Sequence, residues 1–102
     1  MHVTAHVVDG VPRLRTAEFR ALFRPLLVAV QNRGVRVVAA VTMDSHLHLV
    51  LVPSSKAALG AALRIFFGLL ARRCNALWGR RGPVWNDRFW SSSSARSARE
   101  AW

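Results

Sequence analysis

Two histidines, His46 and His48, are the residues whose type and spacing most directly suggest chemistry. They lie in the segment 43–52, which otherwise has the apolar character of a buried strand. Because side chains alternate between the faces of a strand, both imidazoles are expected on one face, with Leu47 and Leu49 on the other. A histidine pair on one face can converge on a single cation, with metal–nitrogen bonds of about 2.0–2.1 Å. We therefore expect His46 and His48 to bind a metal ion; the alternative is two half-exposed histidines on a polar face.

A second group of residues suggests a polyanionic partner. The formal net charge is +10, from 15 Lys and Arg against 5 Asp and Glu, a balance that is typical of nucleic-acid binding. In the segment 72–90, arginines alternate with aromatic residues; arginines pair with phosphates and aromatic rings stack on bases. Single-stranded or hairpin nucleic acid is favoured over duplex, because a base must be unstacked to reach an aromatic ring. The expected contacts are Arg72, Arg73, Arg80, Arg81, Arg88 and Trp90.

Other features of the composition exclude several classes of protein. With 102 residues, 52% of them hydrophobic, the chain is expected to form one folded domain. The single cysteine, Cys74, excludes an intramolecular disulfide and a multi-cysteine zinc site, and its neighbours predict a buried position on a helix. No apolar run reaches the roughly 18 residues of a membrane span, and no signal peptide is visible. A cytoplasmic protein without a membrane partner is expected.

The pattern along the chain predicts the element order β-α-β-β-α-β. Residues 2–8 alternate as a first strand, and Thr16 caps a helix that runs to about Arg33, with Gly34 at its C-cap. Residues 35–42 form a second strand, the histidine strand ends at Pro53, and Ser54 or Ser55 caps a second helix. Residues 83–90 are predicted to form a fourth strand. This order is typical of an α+β, ferredoxin-like βαββαβ fold, in which an antiparallel four-stranded sheet carries two helices on one face.

This fold predicts which histidines share a surface. The first and third strands are neighbours in such a sheet, so His2, Thr4 and His6 are expected on the same open face as His46 and His48. His6 is therefore a candidate for the metal shell or for a DNA contact. Trp78 and Trp85 suit either the core or base stacking. Residues 91–102 are predicted to be a serine-rich tail, either a linker or the start of a third helix.

At the level of whole motifs, the chain resembles a known family. The segment 41–49, which contains His46-Leu47-His48, resembles the histidine–apolar–histidine motif of the HUH endonuclease superfamily. The resemblance is closer to the REP-associated tyrosine transposases and other IS200-like single-tyrosine transposases. Three further stretches agree in the same order: 2–4 with 9–15, 70–75, and 79–89.

The resemblance implies a ferredoxin-like domain over residues 1–90 that binds hairpin-forming single-stranded DNA and takes part in DNA transposition. It implies that His46 and His48 hold Mg²⁺ or Mn²⁺, which polarises the scissile phosphate while a tyrosine attacks. It also implies a homodimer.

One departure from the family bears directly on catalysis. The family's nucleophilic tyrosine lies on a helix after the fourth strand, whereas this sequence contains no tyrosine. The family's Arg-Tyr-His stretch corresponds here to Arg88-Phe89-Trp90, and the expected tyrosine position falls beyond Trp102, on a truncated third helix. No catalytic residue can therefore be assigned.

Three hypotheses follow from these residues. The first is a transposase-like HUH domain that binds hairpin or single-stranded DNA with a divalent ion but cannot cleave alone. The second is a non-catalytic, ferredoxin-like nucleic-acid-binding module, in which His46 and His48 stack or form hydrogen bonds. The third is a structural domain whose exposed tryptophans bind protein.

Overall fold

The computed structural model describes residues 1–86 and the backbone of Trp90 and Ser91. Three strands, two helices and a two-residue segment, β4, follow one another along the chain. Their bounds are β1 His2–His6, α1 Ala17–Gln31, β2 Val35–Thr42, β3 His46–Pro53, α2 Lys56–Trp78 and β4 Trp90–Ser91.

The strands form an antiparallel sheet with β3 at its centre. β3 pairs with β2 on one side and with β1 on the other, and β4 pairs with Val3 and Thr4 on the far side of β1. The ladder between β2 and β3 shifts register between Val37 and Ala39, which marks a β-bulge in the edge strand β2. The described chain is therefore an α+β fold with two helices and a three-stranded antiparallel sheet, to which β4 adds one short pairing.

Alternation along the strands separates the two faces of this sheet. Val3 and Ala5 of β1 are fully buried, as are Leu47 and Leu51 of β3. They form one core with apolar residues of both helices, including Phe19, Phe23, Leu63, Phe66 and Leu70. The helices therefore cover one face, and the alternate residues of the strands lie on the opposite, open face.

The helix starts agree with the sequence prediction, and one helix end does not. Thr16 Oγ1 accepts a hydrogen bond from the Phe19 backbone N–H at 3.1 Å, and Ser55 Oγ accepts one from Ala58 at 3.0 Å. The prediction that Gly34 caps the first helix is wrong, because α1 ends at Gln31 and its C-cap is Asn32, whose N–H donates to the Val28 carbonyl. Gly34 instead makes the turn into β2 at φ +87°, and a Cβ there would lie 2.8 Å from Ser54 Oγ.

The prediction of a continuous fourth strand over residues 83–90 is wrong in its first half. Pro83 has no N–H to donate, and Trp85 makes only an isolated bridge with Val7. Val8 N–H donates to Val84 O at 2.9 Å and Asn86 N–H to His6 O at 2.7 Å, so this segment follows β1 without forming a ladder. Residues 87–89 lie outside the described part of the chain.

The longest helix, α2, has 23 residues and carries the exposed arginines Arg64, Arg72 and Arg73. Among the described residues, no helix is long and apolar enough to cross a membrane.

Two leucines of α2 provide a matched test of this packing. Leu70 is fully buried and Leu77 is 43% exposed. We expect Leu70→Ala to lower the free energy of unfolding by about 2–5 kcal/mol, because it leaves a cavity in the core. Leu77→Ala makes the same chemical change with a much smaller cost, measured by urea denaturation. Equal costs would contradict the assignment of Leu70 to the core.

Cys74 provides a second test. It is buried, as the sequence predicts, and burial raises the pKa of its thiol to about 11. The reactive thiolate is therefore scarce at neutral pH. We expect a thiol reagent to modify the folded protein far more slowly than the urea-unfolded chain at the same pH. Rapid modification of the folded protein would contradict this placement.

Candidate functional site

Four histidines meet on the open face of the sheet, and we call them the histidine cluster: His2, His6, His46 and His48. The β1–β3 register brings them together, since His6 pairs directly with His46, and Thr4 pairs with His48. Ring centroids are 4.8 Å apart for His6 and His46, 4.7 Å for His46 and His48, and 5.1 Å for His2 and His48. The predicted pair therefore lies on one face, and its neighbours are the β1 residues expected from the topology.

Hydrogen bonds hold the rings of His46 and His48, the two motif histidines, through the Nδ1 atom of each. His48 Nδ1 lies 3.1 Å from Thr4 Oγ1 and 3.1 Å from His2 Nε2. His46 Nδ1 lies 3.3 Å from Ser45 Oγ. Metal-binding histidines typically use one ring nitrogen for the ion and fix the other through a neighbouring group. This arrangement leaves Nε2 of His46 and of His48 as the atoms that could bind a ligand.

The electrostatics of the cluster favour the neutral form of the His48 imidazole. Burial lowers the pKa of His48 below its ordinary value of 6.5, and the nearby His46, His2 and His6 lower it further by charge repulsion. A neutral imidazole has a free lone pair, which is the form that binds a metal ion.

The donor set fits an open metal site and not a closed one. Within the described part of the chain, no group of three or more His, Cys, Asp or Glu is placed to hold an ion. Two imidazoles would need further ligands, such as water or phosphate oxygens. Mg²⁺ prefers oxygen ligands almost exclusively, whereas imidazole is better suited to transition-metal ions. Of the two predicted ions, Mn²⁺ therefore fits this pair better.

The predicted arginine contacts separate into two kinds. Arg72, Arg73 and Arg81 are exposed. Arg80 is partly buried, and its Nη1 donates to Asn75 Oδ1 at 2.8 Å and to the Pro83 carbonyl at 3.1 Å. Asn75 Nδ2 in turn donates to the Gly82 carbonyl at 2.8 Å. Arg80 and Asn75 thus hold the loop that follows α2, and this loop carries Arg81.

The aromatic residues of the same region also have different positions. Trp85 packs edge-on against Phe67, at 5.0 Å between ring centroids, and its Nε1–H donates to the Phe67 carbonyl at 3.2 Å. Trp78 is packed against the core as well. The structure therefore supports the core interpretation for both tryptophans. Arg88 and residues 92–102 lie outside the described part, as does the side chain of Trp90, whose backbone pairs with Thr4.

A basic groove between α1 and β2 was not predicted from the sequence. It has a volume of about 590 Å³ and is lined by Arg15, Arg20 and Arg24, with Thr16 and Thr42 among the other residues. The spacing of Arg20 and Arg24 by four residues places them on one face of α1, and this spacing is the signal that could have revealed the groove. Thr4 and Ser45 were also missed as partners of the motif histidines.

His48 offers a test of the geometry of the cluster. We expect the pKa of His48 to rise in His46→Gln but to stay below 6.5, because the repulsion is lost while the larger effect of burial remains. An NMR titration of the histidine ring protons measures this shift. Since the unfolded chain binds a proton more readily than folded His48, the stability that this group contributes falls as the pH drops through 6.5.

An unchanged pKa of His48 in His46→Gln would mean that the two rings do not interact. His46→Asn serves as a second variant if the glutamine side chain rearranges.

Comparison with known proteins gives the fold a name. No protein-family profile and no curated protein matches the sequence. Among solved structures, the chain is similar to a candidate transposase from Deinococcus radiodurans R1, with a TM-score of 0.68 and 16% identity over 98% of this chain and 82% of that chain. It is also similar to a REP-associated tyrosine transposase bound to a REP hairpin, with a TM-score of 0.63 and 16% identity; the match covers 98% of this chain and 59% of the other. The chain therefore has the fold of the REP-associated tyrosine transposases.

Proposed function

We propose that this protein is a transposase-like HUH domain that binds hairpin or single-stranded DNA together with a divalent ion. The observation that carries the proposal is the position of His46 and His48 on the open face of a fold shared with a hairpin-bound transposase. The proposal includes the four-stranded ferredoxin-like sheet: β4 lies beside β1, where the fourth strand of that fold would be.

In this function, the motif histidines bind the ion through Nε2, while Thr4, His2 and Ser45 hold the rings through Nδ1. A divalent ion bound there would supply Lewis-acid polarisation of a DNA phosphate. His6 lies beside His46 and is proposed to contact the ion or the phosphate. Phosphate oxygens and water would complete the shell, so ion and DNA are expected to strengthen each other's binding.

DNA binding rests on the excess of positive charge. Exposed Arg72, Arg73 and Arg81 are proposed as phosphate contacts. Arg80 has N–H groups on Nε and Nη2 beyond the two Nη1 hydrogen bonds that it makes in the loop, so it can contribute too. Arg88 and Trp90 stay predicted contacts. The groove of Arg15, Arg20 and Arg24 offers a further basic surface for a folded DNA strand.

The proposed function is binding without autonomous strand cleavage. The 102 residues contain no tyrosine, so they supply no tyrosine nucleophile for the covalent step. Cleavage would require a tyrosine from a chain of different sequence, because a homodimer of these 102 residues also contains none.

A second candidate function is a nucleic-acid-binding module without a metal. The absence of a third protein ligand among the described residues favours it. Titration with Mn²⁺ separates the two candidates: paramagnetic broadening of the His46 and His48 ring signals supports the metal-binding function, and unbroadened signals support the module.

The proposed function predicts a preference for hairpin DNA that survives moderate salt. We expect tighter binding of a fluorescent single-stranded hairpin than of a matched duplex, measured by anisotropy at two salt concentrations. The variant in which Arg72, Arg73 and Arg81 are replaced by Ala should reduce the dependence of log K on log salt by about 2, because each single-strand phosphate contact contributes about 0.7.

A charge-matched control removes three other exposed cations, Arg13, Arg33 and Lys56. It lowers the net charge equally but should leave most of the hairpin preference. Equal losses in both triple variants, or equal binding of hairpin and duplex, would show that only general positive charge is at work.

A further inference from the structure

The open face of the sheet carries an apolar pocket directly beside the histidine cluster. It has a volume of about 310 Å³ and is lined by Ala39, Val41 and Val50 together with His2 and His48. Val41 is 51% exposed, although its backbone pairs with His48 of the neighbouring strand. We call this site the valine pocket. Small-molecule sites are typically concave and mostly apolar, with a few polar groups at the rim.

Strand register explains how the pocket forms. Ala39 pairs with Val50, and Val41 pairs with His48, so the three apolar residues are cross-strand neighbours on one face. The bulge next to Ala39 gives β2 this register, since it shifts the ladder between Val37 and Ala39. Without this shift, different β2 residues would lie beside Val50.

We propose that the valine pocket holds a single unpaired nucleobase of the bound DNA strand. This inference rests on the proposed function, which it extends by naming a base-binding subsite. His48 belongs both to the pocket wall and to the pair proposed to bind the ion. A nucleotide whose phosphate lies at His46 and His48 therefore has its base next to Ala39, Val41 and Val50.

The surroundings favour a nucleotide over other apolar ligands. At one end of the pocket lie the imidazoles, and toward the other end lies Arg36, which pairs with Val52 on the same face. An apolar floor between cationic or hydrogen-bonding groups complements a flat base that is flanked by phosphates. The net charge of +10 supports an anionic ligand over a basic peptide.

Small nucleotides test the pocket directly by NMR. We expect a nucleoside monophosphate to shift the methyl signals of Val41 and Val50, while deoxyribose 5-phosphate and inorganic phosphate leave them in place. If the nucleotide leaves both methyl signals unchanged, the proposal that the valine pocket holds a base is wrong, whether or not the protein binds hairpin DNA. Methyl shifts that depend on protein concentration without nucleotide would assign the face to a second copy of the chain and overturn the proposal.

Two matched variants extend the test to DNA. Val41 lines the pocket, and Val52 is an equally placed control: it lies on the same face, is 45% exposed, and lies outside the pocket. We expect Val41→Asn to weaken binding of a single-stranded oligonucleotide about tenfold or more, and Val52→Asn to leave it nearly unchanged. Both changes are neutral in charge and alter a strand valine in the same way.

A set of oligonucleotides, each with one abasic site, completes the experiment. With the unaltered protein, one abasic position should weaken binding much more than the others, and Val41→Asn should remove this difference. If the unaltered protein binds all abasic oligonucleotides equally, the pocket takes no base, although DNA binding itself stands. If no oligonucleotide binds, the proposed function fails, and the mononucleotide experiment alone decides the pocket.

Discussion

The antiparallel pairing of β1 with β3 is the constraint on which the rest of the structure depends. Its register places Val3, Ala5, Leu47 and Leu49 toward the helices. The same register places the histidines on the open face, where they contact one another. Since side chains alternate with a period of two, a slip of one residue in either strand would exchange the faces. Burial of the core and assembly of the histidine cluster therefore depend on the same β1–β3 register.

Charge has two distinct roles in this molecule. Arg80 is tied to Asn75 and to the Pro83 carbonyl, and it shapes the loop after α2. Arg72, Arg73 and Arg81 are exposed, so they are accessible to phosphates and also contribute to the long-range field. Such a field speeds encounter with a polyanion but discriminates weakly between sequences. Discrimination requires local shape, which this fold offers at the open face and in the groove beside α1.

The parts of the fold that follow from simple periodicity were predictable. The second strand, the histidine strand and the caps Thr16 and Ser55 depend on alternation and on local side-chain hydrogen bonds. The segment 83–86 was not, because its position depends on Trp85 packing against Phe67, a contact between residues that are distant in sequence. Likewise, the four imidazoles were expected on one face, whereas the hydrogen bonds to His48 Nδ1 depend on β1 side chains in a particular register. The valine pocket depends on the bulge in β2, which no pattern of residues in the sequence predicts.

The same bulge has a consequence for how the protein behaves at high concentration. β2 is the edge of the described sheet, and its exposed Val38 and Val41 give it the composition of a strand that could add to a neighbouring molecule. A flat, apolar edge of this kind is a known starting point for aggregation, and bulges are one way in which natural sheets interrupt it. The irregular ladder between Val37 and Ala39 therefore protects the isolated protein from open-ended sheet extension, while the valines stay accessible on the face.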